Sequence, residues 1–253
     1  MQILLSPAKR MDFKPGENEI TPTKALFPKK RDQLIAVCNG LTVEEIAGMM
    51  KINPAMAHEV QEQFSTFGMC STPVRAAALA YNGIAYLGLN AQDFSADDFA
   101  FAQQHLNILS GLYGLLRPMD GIKPYRLEMQ QLIMPEGYRS LYDYWEESVN
   151  GHLSKRLRKG SRTVVNTASN EYSKVVQKWL LPRGTRFLSL KFLEQEERGL
   201  RQVVVHTKKA RGMIARFIIK NRLTDPEELK AFDSEGYFFH PALSTDDEWV
   251  FTR

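Results

Sequence analysis

The stretch Thr163-Val-Val-Asn-Thr-Ala-Ser-Asn-Glu-Tyr172 decides the fold, because an apolar run is followed at once by polar residues that can begin a helix. Its β-branched residues favour a strand. Ser169 or Asn170 is a suitable N-cap, and Glu171 would lie in the first helical turn, where the helix dipole favours a negative charge. We therefore expect a strand over the first five of these residues and a helix from Glu171 to Leu180.

Strands and helices alternate in the same way along the rest of the chain. Further strands are predicted at the N-terminus, at Leu106–Ser110, at 185–193 and 201–207 around a hairpin at Glu194–Gly199, and twice within 236–252. Further helices are predicted after Thr42 (a capping box with Glu45), from Asn53-Pro54 to about Phe67, from Ser95 to His105, and over 140–158, 208–222 and 225–230. Residues 74–89 contain two short apolar runs around a turn at Asn82-Gly83.

This alternation predicts the α/β class, with a mixed central β-sheet, surrounding helices and an N-terminal helical segment. We predict a single α/β domain over residues 1–253, in which 28–70 could form a helical subdomain. No internal repeat and no linker composition divides the chain.

The charge is concentrated in one block of the chain. The 253 residues carry 33 Lys and Arg against 29 Asp and Glu, a net charge of +4. Residues 151–222 alone hold 18 basic and 4 acidic side chains, whereas 1–150 and 223–253 are both net negative. The apolar (43%) and charged (25%) contents are ordinary for a folded protein and exclude wholesale disorder. A basic block within an acidic frame points to an anionic partner.

Cysteine and histidine usage argues against a metal centre. Cys38 and Cys70 are far apart in sequence and form no ligand pattern, which suits a reducing cytoplasm. The five histidines are scattered, so we predict no metal site and no cofactor. No run of 18 apolar residues occurs and the N-terminus lacks a basic signal region. We therefore expect a cytoplasmic protein without a membrane span.

The segment Lys208–Arg222 is predicted to be a strongly basic helix. A helical wheel gives it an apolar arc with cations on both flanks: Ala210, Met213, Ile214 and Phe217 in the arc, Lys209, Arg216 and Lys220 on one flank, Arg211 and Arg222 on the other. No acidic residue lies within the segment to form i,i+4 pairs, which favours anion binding over a solvated charged face. Lys208 and Lys209 are predicted at a strand–helix junction, where free backbone N–H groups would add to anion affinity.

Three further polar motifs follow predicted strands. They are Ser6-Pro-Ala-Lys9, the segment 109–128 with Arg117, Asp120, Tyr125, Arg126 and Glu128, and Asn166–Tyr172. Each also has a structural explanation, namely helix capping by Ser6 or Ser169, or a loop held by Arg–Asp pairs. The Ser6-x-x-Lys9 spacing matches a Ser–Lys nucleophile pair, but the accompanying motifs of such enzymes are absent, so a phosphate contact suits Lys9 better.

Two functions fit these motifs. In the first, a basic cleft around 208–222 binds double-stranded or distorted DNA without reading its sequence, through Lys9, Arg117, Arg126, Asn166, Lys208, Lys209, Arg211, Arg216 and Lys220. In the second, the chain is an enzyme for a small phosphorylated or nucleotide-like ligand, and the post-strand motifs meet in one pocket. The further candidate residues of that pocket are Ser6, Ser110, Tyr113, Asp120, Ser169, Glu171 and Tyr172.

An ordered set of short strings runs through nearly the whole chain and resembles the YaaA peroxide-stress family. The strings are Leu5-Ser-Pro-Ala-Lys9, Asp97-Asp-Phe99, Leu109-Ser-Gly-Leu-Tyr-Gly114, Leu116-Arg-Pro118, Pro124-Tyr-Arg-Leu-Glu-Met129, Asn166, Ala168-Ser169, Glu171-Tyr172, Lys208-Lys-Ala-Arg-Gly212, Arg216-Phe-Ile-Ile219 and Ser234-Glu-Gly-Tyr-Phe-Phe239.

The resemblance implies a cytoplasmic bacterial protein that supports survival of hydrogen peroxide stress. It further implies a limit on unincorporated intracellular iron, less Fenton damage, and a DNA-binding fold with a basic cleft. It supplies no catalytic residues. Residues Met49–Val60 faintly resemble a helix-hairpin-helix, but the match is weak because Asn53, Pro54 and Met56 stand near the places of its hairpin glycines, and a plain pair of packed helices explains the same residues.

Overall fold

A mixed β-sheet with helices around it forms the frame of the protein. The computed structural model describes residues 1–16, 18–197 and 199–253. The strands are β1 (Gln2–Leu5), β2 (Arg75–Ala76), β3 (Leu106–Ser110), β4 (Gly114–Leu116), β5 (Gly121–Ile122), β6 (Thr163–Asn166), β7 (Arg186–Glu196), β8 (Gly199–Arg201), β9 (Phe238–Phe239) and β10 (Glu248–Thr252).

The helices surround this frame, and some of them are very short. They are α1 (Pro28–Asn39), α2 (Val43–Met50), α3 (Pro54–Ser65), α4 (Ala77–Ala80), α5 (Ile84–Leu89), α6 (Ala96–His105), α7 (Leu141–Lys159), α8 (Asn170–Ser173) and α9 (Val204–Lys220). Short 3-10 helices lie at Ala91–Asp93, Lys178–Leu180, Pro226–Ala231, Ser234–Gly236 and Pro241–Leu243.

The strand order decides where a ligand can bind. Within the described residues the main sheet runs β4-β3-β1-β6-β7-β10-β9, with β8 paired to β7. Strands β3, β1, β6, β7 and β10 are mutually parallel, and β4, β8 and β9 run antiparallel to their neighbours. The predicted α/β class with a mixed sheet is thereby confirmed.

Strands β1 and β6 form the switch point of this sheet. The chain leaves β1 towards β3 on one side and leaves β6 towards β7 on the other, so the two connections diverge and open a crevice at the carboxyl ends of β1 and β6. Ligands of open α/β sheets bind at such crevices. The register pairs Leu4 with Asn166, so the residues after both strands start at the same level.

Several helix starts agree with the sequence prediction. Thr42 forms a capping box with Glu45, Asn53 accepts a hydrogen bond from the Met56 N–H, and Ser95 caps α6. The predicted helix over 140–158 is confirmed as α7, whose last turn is basic. Segment 49–60 is a pair of packed helices, α2 and α3. The buried side chains of α1–α3 join the same hydrophobic cluster as those of β1.

The predicted strand over 201–207 is wrong, because α9 already begins at Val204. Three consecutive valines favour a strand locally, but Val204 and Val205 are exposed and no sheet face covers them. Lys208 and Lys209 therefore lie inside the helix rather than at a strand–helix junction. The hairpin itself is confirmed by the antiparallel pairing of Glu196 with Gly199. Arg198 lies outside the described residues.

The predicted helix from Glu171 to Leu180 is much shorter than expected. Asn150 of α7 explains why it stops, since its side chain accepts a hydrogen bond from the Gln177 N–H at 2.8 Å and donates one to the Val175 carbonyl at 2.9 Å. These bonds occupy backbone groups that a continuing helix would need. The two apolar runs on either side of the predicted turn at Asn82-Gly83 form the short helices α4 and α5.

Candidate ligand-binding cleft

A cleft of about 630 Å³ opens at the switch point between β1 and β6. Four stretches of chain line it: the segment Leu5–Arg10 after β1, the residues from Thr167 to Tyr172 after β6, the segment Asn82–Leu87 with helix α5, and the Lys208–Arg211 turn of α9. This volume lies within the range of small-molecule sites. Two of the four predicted motifs, those after β1 and β6, therefore meet directly beyond adjacent strands, and the basic helix joins them from the side.

Hydroxyl groups form the floor of the cleft. The Ser6 Oγ accepts a hydrogen bond from the Ser169 N–H at 2.8 Å and donates to the Ser169 Oγ at 3.3 Å. The Thr167 Oγ1 donates to the Leu4 carbonyl at 2.6 Å, and the Tyr86 hydroxyl donates to the Ser6 carbonyl at 3.1 Å. These bonds tie the two post-strand segments together, so the floor is organised before any ligand arrives.

Arg211 is a cation of the cleft without an acidic partner among the described residues. No hydrogen bond or salt bridge from its guanidinium to another described residue occurs, and its Nε is buried without a partner. Burial lowers the pKa of Arg211, and no neighbouring charge contributes to that shift. Lys208 lies one turn earlier on the same side, is exposed, and likewise has no carboxylate partner among the described residues. A buried cation normally pairs, so this arrangement is suited to an incoming anion.

Glu171 supplies the carboxyl group of the cleft. Its side chain is half-buried, and its Oε1 is buried with no hydrogen-bond partner among the described residues. Burial raises the pKa of Glu171, and the nearby Glu128 carboxylate adds to that increase while Lys9 opposes it. Lys9 forms a salt bridge with Glu128 at 2.8 Å, across the cleft rim.

Two glycines fix the distance between α5 and α9, and so the position of the cleft wall. A Cβ at Gly212 would lie 1.7 Å from the Ala85 carbonyl oxygen, and one at Gly88 would lie 2.2 Å from the Lys209 carbonyl oxygen. Only glycine permits backbones to come this close. The contact holds Ala85, Tyr86 and Leu87 opposite Lys208 and Arg211.

The opposite flank of α9 is neutralised by carboxylates distant in sequence. Arg216 Nη1 lies 2.6 Å from Asp93 Oδ1, and Lys220 Nζ lies 2.8 Å from an oxygen of Asp98. The predicted place of Arg222 on the Arg211 flank is wrong, because Arg222 lies beyond the end of α9 and its Nη1 lies 2.8 Å from the other oxygen of Asp98. Lys209 pairs with Glu235. Burial opposes ionisation of Asp98, but the hydrogen bonds from Lys220, Ser95 and Arg222 outweigh it and hold the pKa of that carboxyl well below its usual range.

The other candidate residues lie outside the cleft lining. Asp120 is fully buried and binds the Arg117 guanidinium at 2.7 Å, while Arg126 lies against Glu128 at 3.4 Å. The Asn166 Oδ1 accepts from the Ala168 N–H at 3.0 Å. Ser110 belongs to a buried hydroxyl chain: its Oγ lies 2.7 Å from the Tyr125 hydroxyl, which lies 2.6 Å from that of Tyr81, and it accepts the Tyr113 N–H at 3.0 Å.

The cleft also contains residues that the sequence motifs did not indicate. Arg10, Asn82 and Tyr86 line it. The turn signal at Asn82-Gly83 marked the place, but not that the following helix would fold over β1.

In residues 1–16, 18–197 and 199–253 no group of three or more His, Cys, Asp or Glu side chains is arranged to hold a metal ion. No helix among those residues is long and apolar enough to cross a membrane.

The fold and the cleft define an α/β protein with a partly cationic cleft at the switch point of its sheet. Comparison with known proteins assigns the family. A family model described as peroxide stress protein YaaA matches residues 1–243. A UPF0246 protein of Saccharophagus degradans is 40% identical over 256 residues, covering 100% of this chain and 99% of that protein. The chain belongs to the peroxide stress protein YaaA family, which gives it a role in the response to peroxide stress.

Proposed function

We propose that this protein is an enzyme of the peroxide response. Its substrate would be a small phosphorylated or nucleotide-like ligand that binds in the cleft. The observation that carries this proposal is the Arg211 guanidinium, which reaches the cleft with its Nε buried and with no carboxylate partner in the described part of the chain. An arginine can hold a phosphate through two parallel hydrogen bonds.

The composition of the cleft wall supports this ligand class. Lys208 adds a second cation beside Arg211, and the hydroxyl groups of Ser6 and Ser169 can donate to or accept from polar ligand atoms. Ala8, Ile84 and Leu87 supply an apolar side on which a ring could pack. One cationic end and one apolar wall fit a nucleoside monophosphate better than inorganic phosphate alone.

Calorimetric titration with three probes tests the proposal. We expect 5′-AMP to bind saturably, ribose 5-phosphate to bind more weakly, and adenosine, which lacks the phosphate, to bind at least about tenfold more weakly than AMP. Lys208→Gln should weaken AMP binding several-fold, whereas the control Lys191→Gln, on the β7 surface, should not. Equal affinities for AMP and adenosine would contradict the proposal that the cleft binds a phosphate group.

We propose sequence-independent DNA binding as a second function of the same surface. The observation that favours it is the pair of exposed cleft cations without a carboxylate partner among the described residues, Arg10 and Lys208, beside the exposed Lys9 that binds Glu128. Since Lys209, Arg216 and Lys220 pair with carboxylates, they have less charge to offer a phosphate backbone. Binding of a mixed-sequence duplex should weaken steeply with added salt and should be lost first in Arg10→Glu/Lys208→Glu. Duplex affinity that is unchanged in this variant would contradict the proposal.

The limit on free iron that the family resemblance implies stays a prediction. Metal analysis of the purified protein after incubation with Fe²⁺ measures direct binding. Stoichiometric iron would mean that the chain itself holds the metal. Its absence would mean that any effect on intracellular iron passes through another molecule.

A further inference from the structure

Glu171 lies in the cleft in a way that helix capping does not explain. It occupies the first turn of α8, which has only four residues, so there is little helix dipole for its charge to stabilise. Its Oε1 is buried and without a hydrogen-bond partner among the described residues, although the side chain lines an open cleft. A structural carboxylate at a helix start would face water or the helix N–H groups. The Glu171 side chain instead lines the cleft, and its buried oxygen contacts neither solvent nor a helix N–H group of the described residues.

The charged and titratable groups around Glu171 come from four elements. Glu128 and Lys9 face it from the 124–129 segment and from the segment after β1, and Tyr172 follows it on α8. Tyr142 of α7 donates its hydroxyl to the Glu171 carbonyl at 2.8 Å. Backbone N–H groups of Met129 and Gln130 and the Lys9 ammonium favour the ionised carboxylate, whereas burial, the largest influence, and Glu128 favour the protonated acid.

We propose that the Glu171 carboxyl is the acid–base group of the cleft, placed to exchange a proton with a ligand whose phosphate is held by Arg211. This inference rests on the proposed ligand binding. A carboxyl group that keeps its proton above the usual range of glutamate can both donate and accept protons under mild conditions. The pairing of Lys9 with Glu128 supports this, because the Lys9 ammonium, which favours the ionised form of Glu171, already binds another carboxylate.

The ligand class follows from the two groups together. A ligand that uses both needs an anionic group for Arg211 and, elsewhere in the molecule, a nitrogen or oxygen atom that gains or loses a proton at Glu171. A nucleoside monophosphate meets both requirements through its phosphate and its base, whereas inorganic phosphate meets only the first.

Two measurements on the full chain test this assignment. In a ¹³C NMR titration of glutamate carboxyls, assigned by loss of one signal in Glu171→Gln, we expect Glu171 to titrate above the ordinary value of 4.5. Calorimetry of AMP binding in two buffers of different ionisation enthalpy should show proton exchange in the natural chain. That exchange should disappear in Glu171→Gln and persist in the control Glu59→Gln, on the exposed face of α3.

Each failure has a distinct meaning. A Glu171 midpoint at or below 4.5, or proton exchange that is unchanged in Glu171→Gln, would overturn the acid–base assignment. Absence of AMP binding to the natural chain would instead overturn the proposed ligand. The NMR midpoint would then decide the state of Glu171 by itself.

Discussion

The two flanks of helix α9 differ in what their cations contact. On one flank Arg216 and Lys220 bind Asp93 and Asp98, so these charges fasten the helix to the segment around α6. On the other flank Lys208 and Arg211 face the cleft without a carboxylate among the described residues. A high density of positive charge therefore has two roles in one helix. The paired charges stabilise the fold, and the unpaired charges are the ones left to bind a ligand.

The largest expected effect concerns the helix crossing that holds both flanks in place. Gly212→Ala should lower the free energy of unfolding by at least about 3 kcal/mol, because the new Cβ would lie 1.7 Å from the Ala85 carbonyl oxygen. The control Gly151→Ala, in the interior of α7 with open space around it, should raise stability by roughly 0.5–1 kcal/mol. Urea unfolding of both variants measures the difference. Equal stabilities would mean that α5 and α9 do not cross this closely.

Removing the buried carboxylate of the paired flank should give the next largest effect. Asp98→Ala removes the carboxylate that binds Arg222 and one of the two that bind Lys220, and it also removes the hydrogen bond that Asp98 accepts from the Ser95 N–H, so we expect a loss of about 3 kcal/mol. The control Asp97→Ala, exposed in the same helical turn, should change stability by less than about 0.5 kcal/mol. AMP affinity should be the same in both variants. A loss of AMP affinity in Asp98→Ala alone would mean that the two flanks of α9 are coupled, and it would contradict their separate roles.

The paired flank should also make stability depend on acid pH. Hydrogen bonding to Arg216 lowers the pKa of Asp93, and hydrogen bonds from Lys220, Ser95 and Arg222 lower that of Asp98. A carboxyl whose pKa is lower when folded contributes stability that is present above its unfolded value of 3.8 and is lost as pH falls further. The natural chain should thus lose more stability than Asp98→Ala when unfolding is measured at pH 5 and then at pH 2.5. Equal losses of stability in the natural chain and in Asp98→Ala would mean that the low pKa of Asp98 does not cause this pH dependence.

The smallest expected effect is a pH dependence of stability with the opposite sign, caused by Glu171 in the cleft. Burial and Glu128 raise the pKa of Glu171, so its contribution to stability is present below the unfolded value of 4.5 and is lost as pH rises through the folded value. Glu171→Gln should therefore be slightly more stable than the natural chain at pH 7.5 and lose this advantage at pH 4. Thermal melts at both pH values measure it. A variant that is less stable at pH 7.5 would mean that the carboxylate is structurally required.

Much of the frame could be predicted from local sequence. The Thr163–Tyr172 stretch gave both strand β6 and the polar residues beyond it, because an apolar run and a capping residue are local signals. The end of α8 could not be predicted from local sequence, because Asn150 of α7 forms hydrogen bonds with backbone groups that would have continued the helix. The start of α9 was missed for a related reason: the β-branched valines favour a strand, but no sheet covers them.

Part of the candidate site could also be predicted from the sequence. Ser6, Lys9, Ser169 and Glu171 were predicted to meet because polar residues beyond parallel strands share one edge of a sheet. The paired flank was not visible, because Asp93 lies 123 residues from Arg216 and a search for i,i+4 partners cannot find it. Charge counting therefore identified the basic helix, and only the fold separated its free cations from its paired ones.

A single comparison of AMP affinity tests the central claim most directly, because it uses one arginine from each flank of the same helix. Arg211→Gln should weaken AMP binding by about tenfold or more, since it removes a charge-assisted contact to phosphate. Arg216→Gln should leave AMP affinity within about twofold of the natural chain while lowering the melting temperature, since Arg216 binds Asp93. Equal weakening by the two variants, or a larger effect of Arg216→Gln, would contradict the assignment of the unpaired flank to the ligand.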